Sequence, residues 1–284
     1  MPAAPTAPIG VFDSGAGGLS VVAAIRAASP AQPMVYFADT AYAPYGTRSD
    51  QEILARTRLC CSTLIEHGVS ALVVACNTAT ANAIDDVRAW ASVPVIGVEP
   101  GLKPAAAATR NGVVGVLATR ATLASQRYRD LLNRVGSQMP QVRFVEHAAV
   151  GWVELVESGS LDSTRAHTLV RQAVQPLLDA GADTLVLGCT HYPFLRPAIE
   201  AVASGIHIVE TGPAVARELQ RRLAGIPPAA TTGVQAAVAD DVPGLLRFES
   251  SGDVQAFAAL ARQLLATAPA AQAQAQARLQ VTGA

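Results

Sequence analysis

The sequence predicts an α/β protein of two related lobes, each built on a mostly parallel sheet flanked by helices. Two observations carry this. Short β-branched apolar runs alternate along the chain with longer amphipathic stretches, the pattern of strand–helix units that assemble parallel sheets. A segment of the first half is also echoed in the second. SALVVACNT (70–78) and DTLVLGCTH (183–191) each give an apolar strand, a small residue, a cysteine and two polar residues. Upstream, IGVFDSG (9–15) and VGVLATR (114–120) open each half in similar fashion, as a duplicated unit would. One lobe then supplies Cys76 and the other Cys189.

Taken in order, strands are expected at 9–12, 34–38, 71–75, 95–98, 113–117, 142–145, 184–187 and 206–209. They read as continuous apolar runs, as strands covered on both faces do. Amphipathic helices are expected at 49–67, 78–91, 122–135, 164–180 and 213–223. APYG (43–46) is a rigid turn after the second strand. From 266 to 284 the chain is an Ala- and Gln-rich tail without readable chemistry.

Bulk properties narrow the function. Half of the 284 residues are hydrophobic and 15% are charged, which suits a globular protein with well-covered sheets. A net charge of −1 leaves no basic footprint for nucleic acid. No apolar run approaches the roughly 20 residues of a membrane span. The first eight residues lack the cationic and then apolar order of a signal peptide, so a cytoplasmic protein is expected. The four cysteines, Cys60, Cys61, Cys76 and Cys189, show neither C-x-x-C nor zinc spacing. Free thiols and no metal are therefore expected. Lys103, set before Pro104, is the only lysine, which argues against the Schiff-base lysine of pyridoxal phosphate chemistry. The run Gly15-Ala16-Gly17-Gly18 has Ser20 where a dinucleotide fingerprint needs its third glycine, and it lacks the Gly-Lys-Ser/Thr ending of a phosphate loop. No cofactor is expected. The run suits close backbone approach to a carboxylate at a helix N-terminus.

The chemistry rests on the two matched cysteines. Each stands where a strand ends, the edge at which α/β sheets bind ligands, and a helix start there would favour the thiolate. Cys60 and Cys61 lie mid-helix without a polar neighbourhood, which suits core packing. His191, two residues after Cys189, and Asp13, at the end of the first strand, are placed to take a thiol's proton. The competing readings are an N-cap for Asp13 and an ordinary loop histidine. Asn77, Thr78 and Thr190 add short neutral donors for carboxylate oxygens.

FDSGAGGLSV, FADTAYAPYGT, VVACNTATA, VIGVEPGLKPA, VGVLATRATL and LVLGCTHYPFL resemble, in order and spacing, the signature blocks of the glutamate racemases, within the aspartate/glutamate racemase family. The resemblance runs over about residues 8–265, and FESSGDVQAFAALARQLL is similar to that family's C-terminal strand and helix. It implies an active site in the cleft between two lobes, one from 1–98 with 210–265 and one from 99–209. It also implies glutamate as the small-molecule partner, no nucleic acid or membrane, no cofactor, and room for a homodimer. Carried over by position, Cys76 and Cys189 are the acid/bases, Asp13 assists the first, and His191 assists the second together with Glu157, for which Glu154 is the alternative. Asp13, Ser14, Tyr45, Gly46, Asn77, Thr78, Thr119, Thr122, Thr190 and His191 contact substrate. D-glutamate would then serve peptidoglycan synthesis. Tyr42 departs from the family, which often has Arg or another polar residue there. The competing functions are racemisation of aspartate or another acid, and a redox or binding protein with Cys76 and Cys189 as a disulfide switch.

Overall fold

The computed structural model describes residues 7–224, the backbone of 239–242, and residues 245–268. The chain begins with β1 (Ile9–Asp13), α1 (Leu19–Ala28), β2 (Met34–Ala38), α2 (Asp50–Glu66), β3 (Ala71–Val74), α3 (Asn77–Trp90) and β4 (Val95–Gly97). It crosses through α4 (Leu102–Ala108) to β5 (Val113–Ala118), α5 (Arg120–Ala124), α6 (Gln126–Gln138), β6 (Arg143–Ala148), α7 (Trp152–Glu157), α8 (Thr164–Asp179), β7 (Thr184–Leu187), α9 (Arg196–Val202) and β8 (His207–Val209). It returns through α10 (Gly212–Leu223) to add β9 (Ala239–Val242), β10 (Leu246–Ser250) and α11 (Val254–Thr267) to the first lobe.

Two sheets result, ordered β4-β3-β1-β2-β10-β9 and β6-β5-β7-β8. Read backwards, the second is β8-β7-β5-β6, the same order as β4-β3-β1-β2. The two strands that lead to the matched cysteines, β3 and β7, therefore hold equivalent places, as the sequence echo predicts. Every pairing is parallel except β9 with β10. One apolar cluster runs through both lobes, from Ile9 and Val11 through Leu117, Trp152 and Leu187 to Phe248 and Phe257.

Several elements differ from their sequence reading. The stretch 122–135 is not one helix. Ser125 ends α5 and caps α6, its hydroxyl accepting from the Tyr128 N–H. β6 runs on to Ala148, beyond the expected 145. It is a half-exposed edge strand, so Glu146 and His147 interrupt its apolar run without ending its pairing with β5. α1 has no polar face to read, because six of its ten residues are buried. The expected tail begins inside α11, and from residue 269 it lies outside the described residues. Among the described residues no helix is long and apolar enough to cross a membrane.

Candidate active site

Sheet register assembles the site. Phe12 pairs with Val74, so two residues further on Ser14 meets Cys76, with Oγ 3.6 Å from Sγ. Leu117 pairs with Leu187 in the other sheet, which sends Thr119 and Cys189 from neighbouring strand ends. Both thiols line one cavity of about 240 Å³ between the lobes, and each is 7% exposed. All four cysteines are free.

Of the expected contact residues, Ser14, Tyr45, Gly46, Asn77, Thr78, Thr119, Thr122, Thr190 and His191 line this cavity. Both polar side-chain atoms of Asn77 are buried without a protein partner. Buried polar atoms left without a partner are uncommon in folded proteins. Asp13 does not line the cavity. It is fully buried behind Ser14, with Oδ1 accepting from the Gly15 N–H at 2.8 Å and from the Ser14 hydroxyl, and Oδ2 accepting from the Thr190 hydroxyl at 3.3 Å. It caps no helix, since α1 starts only at Leu19 after Gly18. The cavity also takes in Arg120, Val150, Val153 and Glu154. Sequence reading did not single out the first three. Arg120 and Val153 carry a weak signal, because they adjoin the matched positions Thr119 and Glu154.

The two carboxylates near the second cysteine separate in space. Glu154 faces the cavity. Glu157 stands behind His191, whose Nε2–H donates to Oε1 at 2.7 Å while Nδ1 lies 3.6 Å from the Cys189 sulfur. His191 is not an ordinary loop residue. Burial alone would lower its pKa, but Cys189 and Glu157 outweigh burial and hold it well above the usual imidazole value. Glu157 is held low, since its bonds to the His191 ring and the Ala16 N–H outweigh burial.

The glycine run plays a different part from the one expected. The carboxylate it approaches belongs to the protein, for the Ala16 N–H donates to Glu157 Oε1 at 2.8 Å. A Cβ on Gly15 would collide with the Glu157 carboxylate, and one on Gly17 with the His191 ring. Glycine here lets the second lobe's Glu157–His191 pair dock on the first lobe. Ser20, out of place in a nucleotide loop, donates to the Thr190 carbonyl at 2.7 Å.

The expected effect of a helix start on the thiols is also revised. Cys76 does cap α3, its sulfur accepting from the Ala79 N–H at 3.5 Å. Burial nevertheless pushes its pKa up to about 12, Asp13 adds to the rise, and the bonds from Ala79 and Ser14 offset only part. Cys76 is therefore a protonated thiol at neutral pH. Cys189 is followed by a short 3₁₀ turn, Tyr192–Leu195, rather than an α-helix, and its partner is the charged His191 ring. Burial likewise pushes Cys61 up to about 12. Cys60 is buried too, but it has a polar neighbourhood, because Asp39 and Arg56 both act on it.

Among the described residues no group of three or more His, Cys, Asp or Glu side chains could hold a metal ion. Two like-ordered α/β lobes, each bringing one thiol to a shared cleft lined by hydroxyl and amide side chains with Arg120, Glu154 and His191, fit an amino-acid racemase. The chain belongs to the Asp/Glu/hydantoin racemase family, whose profile matches residues 9–219. A glutamate racemase of Ralstonia pickettii (strain 12J) is 48% identical over 267 residues, 94% of this chain and 90% of that protein. The crystal structure of glutamate racemase isoform RacE1 from Bacillus anthracis superposes with a TM-score of 0.77 at 31% identity, covering 92% of this chain and 94% of the other. Escherichia coli glutamate racemase, solved with L-glutamate and the activator UDP-MurNAc-Ala, superposes with a TM-score of 0.73 at 32% identity, over 84% and 91% of the two chains.

Proposed function

We propose that this protein interconverts L- and D-glutamate by a two-base exchange of the Cα proton between Cys76 and Cys189, without pyridoxal phosphate, metal or nucleotide. The observation that carries the reading is that one thiol from each lobe lines the same cavity, at matched strand ends. The substrate is taken from the glutamate racemases that this chain resembles over nearly its whole length.

In the forward step a thiolate takes the Cα hydrogen and an S–H bond forms. The electron pair left on Cα is delocalised into the adjoining carboxylate. The other thiol then gives its proton to the opposite face and becomes a thiolate. The reverse reaction starts from that state with the roles exchanged. Asn77, Thr78, Thr119, Thr122 and Thr190 hold the substrate carboxylates in a site with little water, where fixed donors stabilise developing charge most strongly. Ser14, Tyr45 and Gly46 complete the contacts. Asp13 and His191, the latter steadied by Glu157, manage the proton balance of Cys76 and Cys189 in turn. We place the enzyme in the cytoplasm, supplying D-glutamate to peptidoglycan.

Isotope exchange tests this directly. In D₂O the acid thiol is deuterated before substrate binds, so D-glutamate formed from L-glutamate carries deuterium at Cα. Recovered L-glutamate at low conversion keeps hydrogen, because the abstracted atom stays on the other thiol. Mass spectrometry of the separated enantiomers reads both. Unlabelled D-glutamate in quantity means a single base shuttling its proton across, and the two-thiol assignment fails.

A further inference from the structure

The cavity wall formed by Tyr45, Gly46 and Thr47 belongs to the loop between β2 and α2. The loop's first residues are tied to the sheet. The Asp39 N–H donates to the Asp13 carbonyl at 3.0 Å, Thr40 shares a hydrogen bond with Ser250 at 2.6 Å, and the Ala41 N–H donates to the Ser251 hydroxyl at 3.1 Å. The lining part is tied down differently. The Tyr45 hydroxyl donates to Asp39 Oδ2 at 2.6 Å. Asp39 is fully buried, and Arg56 of α2 grips its two oxygens, Nε at 2.9 Å from Oδ2 and Nη2 at 2.6 Å from Oδ1. The same guanidinium lies 3.8 Å from the centre of the Tyr42 ring. Tyr42 is 38% exposed, so this stack, more than burial, accounts for an aromatic at that place.

We infer that Arg56, stacked on Tyr42 and forked onto Asp39, is a positioning residue for the substrate cavity, setting where the Tyr45–Gly46 wall stands. The inference rests on the proposed racemase reading. Neither Arg56 nor Tyr42 lines the cavity. They act through Asp39 and the Tyr45 hydroxyl, which burial and the Asp39 charge keep protonated and so able to donate. Only a planar fork can hold both carboxylate oxygens while lying flat on a ring, so lysine does not substitute for Arg56. A wall that binds substrate and transition state alike affects KM, while the thiols that set kcat stand on other elements.

Steady-state racemisation in both directions, with thermal melts, is compared for the wild type, Arg56→Lys, Tyr42→Leu, Tyr45→Phe and the double variant Arg56→Lys/Tyr45→Phe. Arg56→Lys and Tyr45→Phe each raise KM by about tenfold while kcat stays within about threefold. The double variant is no worse than the larger single, because either change cuts the same anchor. Tyr42→Leu raises KM by about threefold. Should Arg56→Lys fail to fold, Tyr42→Leu, read beside Tyr45→Phe, leaves the ion pair whole and answers the same question without touching a proposed substrate contact. Lowered melting temperatures with KM unchanged in those two variants mean a structural role only, and the inference is overturned. A fall in kcat as large as the rise in KM overturns it too. A wild type that does not turn over glutamate sinks the racemase reading itself, and this inference with it. An active wild type with insensitive variants removes the clamp alone.

Discussion

Replacing Asp13 with asparagine should make the protein more stable at neutral pH and less active. Burial holds the Asp13 carboxyl at about 6 instead of 3.8, against the opposing pull of His191 and the Gly15 and Thr190 hydrogen bonds. For an acid raised in this way, folding bears no ionisation cost below about pH 4, where both states are protonated. Between 3.8 and about 6 the unfolded chain ionises and the folded one does not, so stability falls as pH rises. Above 6 the loss is complete and amounts to about 3 kcal/mol. Between about pH 4.5 and pH 7.5 the part lost is about 2 kcal/mol. Asparagine does not ionise, yet its carbonyl can still accept from the Gly15 N–H, which lies 2.8 Å from Oδ1. Urea unfolding at the two pH values should therefore show the variant gaining about 2 kcal/mol on the wild type as pH rises. Titrating groups that do not act on Asp13 cancel in the difference; His191 and Glu157, which do, add a smaller change of their own. Racemisation should fall in the same variant if Asp13 sets the proton balance of Cys76 as proposed, because an amide does not ionise. A stability gap that is the same at both pH values would refute the reasoning, since Asp13 would then not be titrating in that window.

The remaining expectations concern the thiols, the ion pair and the substrate. Cys76→Ala and Cys189→Ala should each lower the rate by at least about 10²-fold, whereas Cys61→Ala, deep in the core of α2, should cost stability and leave kcat largely intact; near-normal turnover by either of the first two would end the two-thiol mechanism. Glu157→Gln should destabilise by about 2 kcal/mol, because the buried His191 ring loses a charge-assisted bond to a half-buried carboxylate. His191 is raised by that partner, so its share of stability is present at low pH and lost as pH climbs through its folded value. The alkaline fall in rate should accordingly begin at lower pH in the variant, and an unmoved pH–rate profile would count against the pairing. Glutamate should be turned over far better than aspartate, as the shorter acid forfeits roughly 1.5–3 kcal/mol for each charge-assisted bond it cannot reach; equal kcat/KM for the two would favour the competing substrate.

Much of the site is legible before folding because strand ends announce themselves. An apolar run that stops at a small residue, a cysteine and two hydrogen-bonding residues marks both the sheet edge and its chemistry, as at Cys76 and Cys189. Ser14 and Thr119 follow from register once the strands are known. Glu154 and Glu157 could not be told apart in this way. They are one helical turn apart on α7, and only the packing of that helix decides that one faces the cavity and the other backs His191. Asp39 and Arg56 were not visible as a pair either, since they lie 17 positions apart on two different elements.

The sequence by itself determined the alternation of strands and helices, the echo between two like lobes and the strand-end places of Cys76 and Cys189, because strand periodicity and the residues at strand ends are local properties of the chain; its motif blocks carried the likeness to the family. Tertiary structure alone decided the electrical state of those residues. Cys76 stands at a helix start that favours its thiolate, yet burial and the neighbouring Asp13 keep it protonated. His191 stands in buried surroundings that favour its neutral form, yet Glu157 and Cys189 keep it charged. Desolvation and Coulomb energies depend on what surrounds a group in three dimensions, and those surroundings come from elements as distant in the chain as Ala16 and Glu157.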